Sequence, residues 1–331
     1  MIIMPPTRIS RPQTEIWLPR QNLQMAGKLR MRVWRPDMEL HRCVSDTGWM
    51  PNKILDNGRN NMATQSSWLG WCMVGTNNTA PLATHTKLLG KVAETNTLVD
   101  SNRGQEGSAP YFGWYDTTHR FGVGDGQGGE NISEASIGWA SGSGDVAISR
   151  ALVIDPDTQV TTSVTPLADE LLDVSWRFEY YPPLVDVEDS ITLNGVNYDT
   201  VCRAASVTGS AWSDHIGQLI EDDCSSTSDY KAWDGSLGAI TSTPGGSGAN
   251  LSNINEVYTE GYQNNSYEVV IVASVGPTAW NLGSHMRCLT ALTKAGQYQM
   301  SFDSNPGNNP VPKTTDETMI MKWILGWTEK V

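Results

Sequence analysis

The side chains that most often carry catalysis are present in this chain but show no catalytic spacing. No two of the five histidines have the short spacing that ligands of a zinc site use. The chain also lacks G-x-S-x-G, a P-loop, and a G-x-G-x-x-G placed between a strand and a helix. The histidines are His41, His85, His119, His215 and His285. We therefore expect no catalytic residues, no cofactor-binding residues and no cofactor.

Oxygen ligands for calcium are the next chemistry to consider. Asp125 and Glu130 flank glycines in the loop 122–131, but a calcium site needs roughly six to eight oxygens, so solvated turn residues are the favoured interpretation. The cysteines are odd in number and form no C-x-x-C pair, which argues against a disulfide framework or a zinc site. They are Cys43, Cys72, Cys202, Cys224 and Cys288. We expect reduced thiols, no metal, and assembly in a cytoplasm.

The acidic residues leave one enzymatic alternative open. With 36 Asp and Glu, the chain has enough carboxylates for a glycosidase pair, whose separation is set in three dimensions rather than along the sequence. Depolymerases built as long β-helices have short sequence repeats, and no short period is visible here. A polysaccharide-degrading enzyme therefore remains an alternative, and it is the least favoured of the three functions considered below.

Positive charge is concentrated at the start of the chain. The net charge is −13, yet residues 1–36 hold seven basic residues and a single acid, Glu15. An extended basic arm on an acidic body suits docking on an acidic neighbouring subunit, and the acidic body argues against nucleic acid as the main partner. A solvated terminus is an equally weighted alternative. The predicted arm residues are Arg8, Arg11, Arg20, Arg30, Arg32 and Arg35.

Tryptophan supplies candidate contacts with partners outside the chain. The chain has 13 Trp but only 4 Phe, a composition that suits both a buried core and protein contacts. A long segment from Ser225, rich in Ser, Gly and Asn, is predicted to be a surface loop. If the chain is a receptor-binding module, Trp212 and Trp233 are the side chains that would stack on a host glycan or contact a host protein.

The elements that position these residues are predicted to be strands. Leu172, Val174, Trp176, Phe178 and Tyr180 alternate with polar residues, which indicates an antiparallel strand with one wet face. Similar patterns predict strands at 71–74, 146–154, 267–275, 298–302 and 319–327. The 31 glycines and frequent Asn and Ser fit many short turns. No apolar run reaches the length of a membrane span, and no signal peptide is expected.

Domain organisation follows from the order of these strands. The double proline at 182–183 ends the first unit because proline donates no ladder hydrogen bond. Trp139 and Trp280 occupy corresponding places in the two halves, which indicates a weak internal duplication. We predict an all-β fold of two tandem antiparallel β-sandwich-like domains, 46–183 and 184–331, after an extended basic N-terminal arm and linker at 1–45.

Several sequence stretches together resemble virion structural proteins of tailed bacteriophages, which are often labelled as tail, collar or fibre-associated. In the first half they are GWMPNKILDNG, WCMVGTNNTAP and SRALVIDPDTQVTTSVTPLADELLDVSWRFEYYPP. In the second half they are DSITLNGVNYDTVCRAASV, DGSLGAITSTPGG and GQYQMSFDSNPGNNPVPKTTDETMIMKWILGW. The resemblance implies β-sandwich domains, several copies in a symmetric particle, and no enzyme activity. The basic N-terminal arm has no counterpart in this resemblance.

The predicted function is a non-enzymatic structural component of a tailed-phage virion, in the tail, neck or collar, or an appendage. We expect it to assemble in the host cytoplasm as a homo-oligomer, through its arm and β-domain contacts, with other proteins of the tail, portal or capsid. A receptor-binding module of the tail, contacting a host glycan or surface protein, is the first alternative, and a capsid decoration protein is the second.

Overall fold

The computed structural model describes most of the chain as β-structure. It covers residues 13–36, 42–62, 69–142, 144–193, 195–205, 230–240, 242–250, 254–276, 286–293, 296–304, 311 and 315–330. Across these ranges the secondary structure is twenty strands and one short helix, so the predicted all-β class is confirmed. No helix among these residues is long and apolar enough to cross a membrane.

The strand and helix bounds follow chain order. They are β1 Gln13–Arg35, β2 Arg42–Asp46, β3 Met50–Pro51, β4 Lys53–Ile54, α1 Asp56–Asn61, β5 Trp71–Gly75, β6 Lys91–Thr95, β7 Leu98–Glu106, β8 Phe112–Phe121, β9 Glu134–Gly138, β10 Ala147–Leu152, β11 Leu171–Tyr181, β12 Val187–Leu193, β13 Val196–Ala204, β14 Tyr230–Trp233, β15 Gly248–Asn250, β16 Ile254–Thr259, β17 Glu268–Val275, β18 Cys288–Thr293, β19 Gly296–Ser304 and β20 Thr318–Glu329.

The largest sheet is organised around β1. Its strand order is β16-β17-β20-β1-β11-β8-β7, and the short strands β2 and β3 also pair with β1. The first half of β1, from Gln13 to Met25, pairs with β20 in parallel. Its second half, from Gln24 to Trp34, pairs with β11 antiparallel. We call β1 the shared strand, because it joins two half-sheets that would otherwise end at β11 and β20.

The two half-sheets are related by their strand order. In the first, the hairpin β7–β8 pairs with β11, and in the second, the hairpin β16–β17 pairs with β20. The ends of β11 and β20 meet at the middle of the shared strand, where Gln24 lies opposite Tyr181 on one side and Thr328 on the other. The two half-sheets therefore have the same strand order on opposite sides of the shared strand, and the C-terminal ends of β11 and β20 meet near Gln24.

Each half-sheet packs on a smaller antiparallel sheet. A five-stranded sheet, β4-β10-β9-β5-β6, contacts the first half-sheet, where the indole Nε1 of Trp176 donates to Cys72 Sγ over 3.4 Å. A six-stranded sheet, β12-β13-β19-β18-β14-β15, contacts the second, where the rings of Tyr298 and Trp323 lie 5.7 Å apart. The buried residues of all three sheets form one continuous core.

The strongest sequence pattern is confirmed, with one correction. Residues 171–181 form β11, and its predicted apolar face is buried. The face predicted to be wet is also covered, because Asp173, Ser175 and Glu179 are 4% exposed or less. Lys28 and Arg120 from neighbouring strands pair with Glu179 and Asp173, and Ser175 hydrogen-bonds with Thr118. Alternation within a single strand does not reveal such cover.

The large sheet contains strands from both predicted domains, whose bounds stay a prediction. Residues 46–183 contribute β11, β8 and β7, while residues 184–331 contribute β20, β17 and β16, and all lie in one sheet with the shared strand. The internal duplication is not confirmed. The segment from Ser225, predicted to be a loop, contains strands β14 to β16 where it is described. β14 and β15 pair with each other, β14 also pairs with β18, and β16 pairs with β17.

The extended arm is likewise not confirmed. Residues 13–35 lie within the sheet, and their inward side chains, including Leu23, Leu29 and Met31, are buried. The alternation noted at residues 28–33 in fact begins at Pro19, and before it Ile16 and Leu18 alternate in a register that shifts between Leu18 and Gln21. Residues 1–12 lie outside the described residues.

Candidate functional site

The shared strand is the first candidate site, because it carries the basic residues predicted to dock on a neighbour. Arg20 forms an ion pair with Glu268, with Nη1 and Oε2 2.8 Å apart. Arg35 binds the carboxylate of Glu170 at 2.7 Å. Arg32 lies over the ring of Trp34, 5.4 Å from its centroid. These cations therefore interact with groups of the same chain.

The second half of the shared strand continues this pattern. Lys28 Nζ lies 2.5 Å from the Oε1 atom of the buried Glu179. Arg30 forms a two-point ion pair with Asp46, in which Nε donates to Oδ1 over 2.8 Å. The hydrogen bond from Arg30 also lowers the pKa of Asp46 below its usual value. Acidic partners on other strands and loops thus neutralise the positive charges of Arg20, Lys28, Arg30 and Arg35.

Two further ion pairs extend this charged face across the first half-sheet. Arg120 binds both carboxylate oxygens of Asp173, at 2.7 and 2.9 Å. Arg177 binds both oxygens of Asp116, and its guanidinium lies 5.0 Å from the ring centroid of Trp49 and 4.5 Å from that of Trp114. Two-point pairs and stacking on tryptophan hold these side chains in place, so the face is a fixed layer of alternating charge.

Four of the six predicted arm residues lie in the part of the chain that the structure describes. Arg8 and Arg11 lie outside the described residues, whereas Arg20, Arg30, Arg32 and Arg35 lie on one central strand and contact their own chain. The structure does not bring them together as a free docking surface. Their role in assembly stays a prediction.

The two predicted host-contact tryptophans have different outcomes. Trp212 lies outside the described residues. Trp233 ends β14, where its indole Nε1 donates to Thr290 Oγ1 over 3.0 Å and its ring covers Gly248. A Cβ atom at Gly248 would lie 2.9 Å from that ring, so the two strands need glycine there to approach closely. Trp233 therefore has a packing role in the six-stranded sheet.

A buried ion pair in the five-stranded sheet was missed by the sequence interpretation. Arg150 and Glu134 have no exposed side-chain surface, and Arg150 Nε donates to Glu134 Oε2 over 2.7 Å. Glu134 Oε1 also accepts the backbone N–H of Gly90 at 2.6 Å. Arg150 interrupts the apolar alternation of its strand, which was the available signal. The carboxylate anchors the segment before β6, so its role is structural.

His85, which is partly buried, contacts this ion pair. Its Nδ1 lies 3.2 Å from Arg150 Nη1 and accepts the backbone N–H of Leu82 over 3.2 Å. Burial and the positive charge of Arg150 lower the pKa of His85. A ring nitrogen that accepts two N–H groups carries no proton of its own, so His85 is neutral and holds the segment in place.

Two cysteine thiols, those of Cys72 and Cys202, are buried and inert. Burial raises the pKa of the Cys72 thiol to about 12 and raises that of Cys202 as well, so neither forms a thiolate near neutral pH. Asp125 Oδ2 accepts the backbone N–H of Gly122 at 2.7 Å, as a turn residue does. Within the described ranges, no three His, Cys, Asp or Glu side chains are grouped to hold a metal ion.

His119 leads to a prediction about pH. It lies in β8 with 1% of its surface exposed, and burial lowers its pKa from 6.5 to about 4. The unfolded chain binds this proton and the folded chain does not, so stability is full above pH 6.5 and falls as the pH drops toward 4. The loss attributable to His119 is about 3 kcal/mol. Urea unfolding of wild type and His119→Gln between pH 7 and pH 4 should give a flatter profile for the variant, and parallel profiles would contradict this prediction.

Comparison of the chain with protein-family models, with curated proteins and with solved structures finds no match. Within the described residues, the candidate sites are a shared central strand, a fixed charged face and a buried ion pair. All three hold the chain together.

Proposed function

We propose that this chain is a non-enzymatic structural component of a tailed-phage virion, in the tail, neck or collar, or an appendage. The observation that carries the proposal is the shared strand, whose two halves complete two different half-sheets. A part of a particle that transmits load needs its domains joined by more than a linker. Strand hydrogen bonds on both sides of β1 meet that need, because separating the half-sheets requires breaking a ladder.

The use of charged groups supports the same proposal. An enzyme keeps some titratable groups in a cleft with free access to substrate, and it adjusts their pKa for that task. Here the most deeply buried charges, Glu134 and Arg150, neutralise one another and anchor backbone. The charged face of the first half-sheet is likewise used in ion pairs within the chain. These ion pairs stabilise one rigid conformation.

An exposed edge of the large sheet is the proposed contact with neighbouring copies. The edge strand β7 is exposed along its first six residues, and Leu98 and Val99 present 52% and 41% of their surface. Edge strands offer unpaired backbone groups to another chain, and soluble proteins usually cover or charge them. Assembly through such an edge needs no basic arm, which agrees with the internal pairing of Arg20 and Arg30.

The proposal is tested on purified particles of the phage that encodes the chain. Mass spectrometry should detect the chain in density-purified particles, in several copies per particle. Antibody labelling in the electron microscope should place it at one symmetric location. If infected cells contain the chain and purified particles do not, the proposal is wrong.

A further inference from the structure

A cavity between α1 and the segment before β17 has an unusual lining. Its volume is about 320 Å³, within the range of small-molecule sites. We call it the asparagine pocket, and its lining residues are Asn57, Asn60, Asn61, Trp139, Tyr262 and Asn264. It combines residues that lie some 200 positions apart in the sequence. It is separate from the charged face and from the ion pair of Glu134.

The lining carries polar groups and aromatic rings but no charged side chain. An asparagine amide donates hydrogen bonds through its nitrogen and accepts them through its oxygen. A sugar hydroxyl can likewise both donate and accept, so the two groups are complementary. The flat rings of Trp139 and Tyr262 provide surfaces suited to the C–H face of a pyranose. A phosphate or carboxylate ligand would require Arg or Lys, and a cation would require carboxylates. The chemistry thus favours a neutral ligand rich in hydroxyl groups.

The pocket wall is held in place before any ligand arrives. Asn60 Oδ1 accepts the hydroxyl of Tyr262 and the backbone N–H of Asn265, each over 2.7 Å. Asn60 Nδ2 in turn donates to Asn265 Oδ1 at 2.8 Å. Asn57 Nδ2 donates to the backbone oxygen of Asp145 over 2.8 Å. A wall fixed by its own hydrogen bonds loses little freedom on binding, which favours affinity.

A second layer of aromatic residues supports this wall. The ring of Trp327 stacks on Tyr262 with centroids 5.9 Å apart, and its Nε1 donates to the backbone oxygen of Arg59 over 3.0 Å. The guanidinium of Arg59 lies 4.0 Å above the ring of Tyr267. Both α1 and the opposite segment are therefore attached to the same buried strand, β20.

The backbone of the pocket wall is strained. Asn265 and Tyr267 have φ angles of 68° and 51°, in the left-handed region that residues other than glycine rarely adopt. For a bulky residue such as Tyr267 this is a clear outlier. Strain of this kind persists where the surrounding structure imposes it, and it is concentrated at ligand sites. Gly58 in α1 has a separate constraint, because a Cβ there would lie 2.1 Å from the Ile148 carbonyl oxygen.

We propose that the asparagine pocket binds a neutral saccharide, with a sugar ring against Trp139 and its hydroxyls on the Asn264 amide and the Asn57 Oδ1 atom. The inference does not rest on the virion role, because it follows from the pocket lining alone. It places sugar recognition at the junction of α1 and the segment 260–267. The two tryptophans that the sequence suggested for this task lie elsewhere or outside the described residues.

The test uses the purified full chain with defined neutral oligosaccharides: maltoheptaose, cellopentaose, chitotetraose and galactobiose. Binding in solution is measured by isothermal titration calorimetry and by saturation-transfer NMR at millimolar sugar. Heparin and polysialic acid serve as anionic comparisons. At least one neutral sugar should bind. Asn264→Ala should weaken it about tenfold, the equivalent of about one hydrogen bond.

Two more variants keep the test decisive. Trp139→Ala should abolish the response, and Tyr262→Phe, which keeps the ring but releases Asn60, should weaken binding about tenfold. The exposed Trp49 and Asn102 lie outside the pocket, so Trp49→Ala and Asn102→Ala serve as matched controls that should bind like wild type. No response to any neutral sugar, stronger binding of the anionic polymers, or unchanged binding in Asn264→Ala and Tyr262→Phe overturns the proposal.

Discussion

Removing residues 1–35 is expected to abolish the folded state of the whole chain. The deletion removes the shared strand and therefore the ladders with β11 and β20 at once. It also removes seven buried apolar side chains, which are Ile16, Leu18, Leu23, Met25, Leu29, Met31 and Val33. Their burial is worth on the order of 10 kcal/mol, comparable with the entire stability of a typical domain.

The measurement is circular dichroism with thermal unfolding, accompanied by the mass in solution. A chain that begins at Gln13 is the matched control, since it retains every strand pair described above, and it should fold. A docking arm would behave differently, because its removal would leave folded protein and only change the oligomer. A folded monomer from the chain lacking residues 1–35 would contradict the central place of β1.

The second large effect concerns the buried ion pair. Glu134→Gln leaves the charge of Arg150 buried without its counterion, and breaking such a pair from one side costs about 3–5 kcal/mol. Adding Arg150→Met removes the stranded charge, so the double variant should be more stable than Glu134→Gln alone. The free energy of unfolding in urea measures both effects.

An exposed ion pair supplies the control for this experiment. Arg20 and Glu268 are separated by 2.8 Å, but their side chains are 50% and 34% exposed. Glu268→Gln should cost less than about 1 kcal/mol because water solvates Arg20 after the change. If Glu134→Gln costs no more than Glu268→Gln, the cluster around Arg150 does not anchor the five-stranded sheet.

Some of this fold was accessible from the sequence because the information is local. Alternation in residues 171–181 predicts β11, and similar alternation predicts β19 and β20. Strand pairing is not local. The basic residues of β1 suggested an arm because their partners, such as Glu268 and Glu179, lie far away in the sequence. A cationic strand next to acidic strands has the same composition as a cationic arm.

The asparagine pocket likewise depends on contacts between segments that are distant in the sequence. Asp56-Asn57-Gly58 has the composition of a turn, but these residues begin α1, where the backbone oxygen of Leu55 accepts the N–H of Arg59. Their partners at 262–265 come from the other half of the chain. No spacing rule connects the two segments, so only the folded structure brings the amides and aromatic rings together.

The most direct test of the shared strand is hydrogen exchange in a variant destabilised in one half only. Trp323→Ala removes a buried side chain from β20 and should cost about 3–5 kcal/mol. If β1 joins the half-sheets into one cooperative unit, the opening free energy of amides in the distant β11 falls by the same amount. Unchanged protection of β11, with loss confined to β20 and β17, would show that the halves unfold separately and would contradict the account.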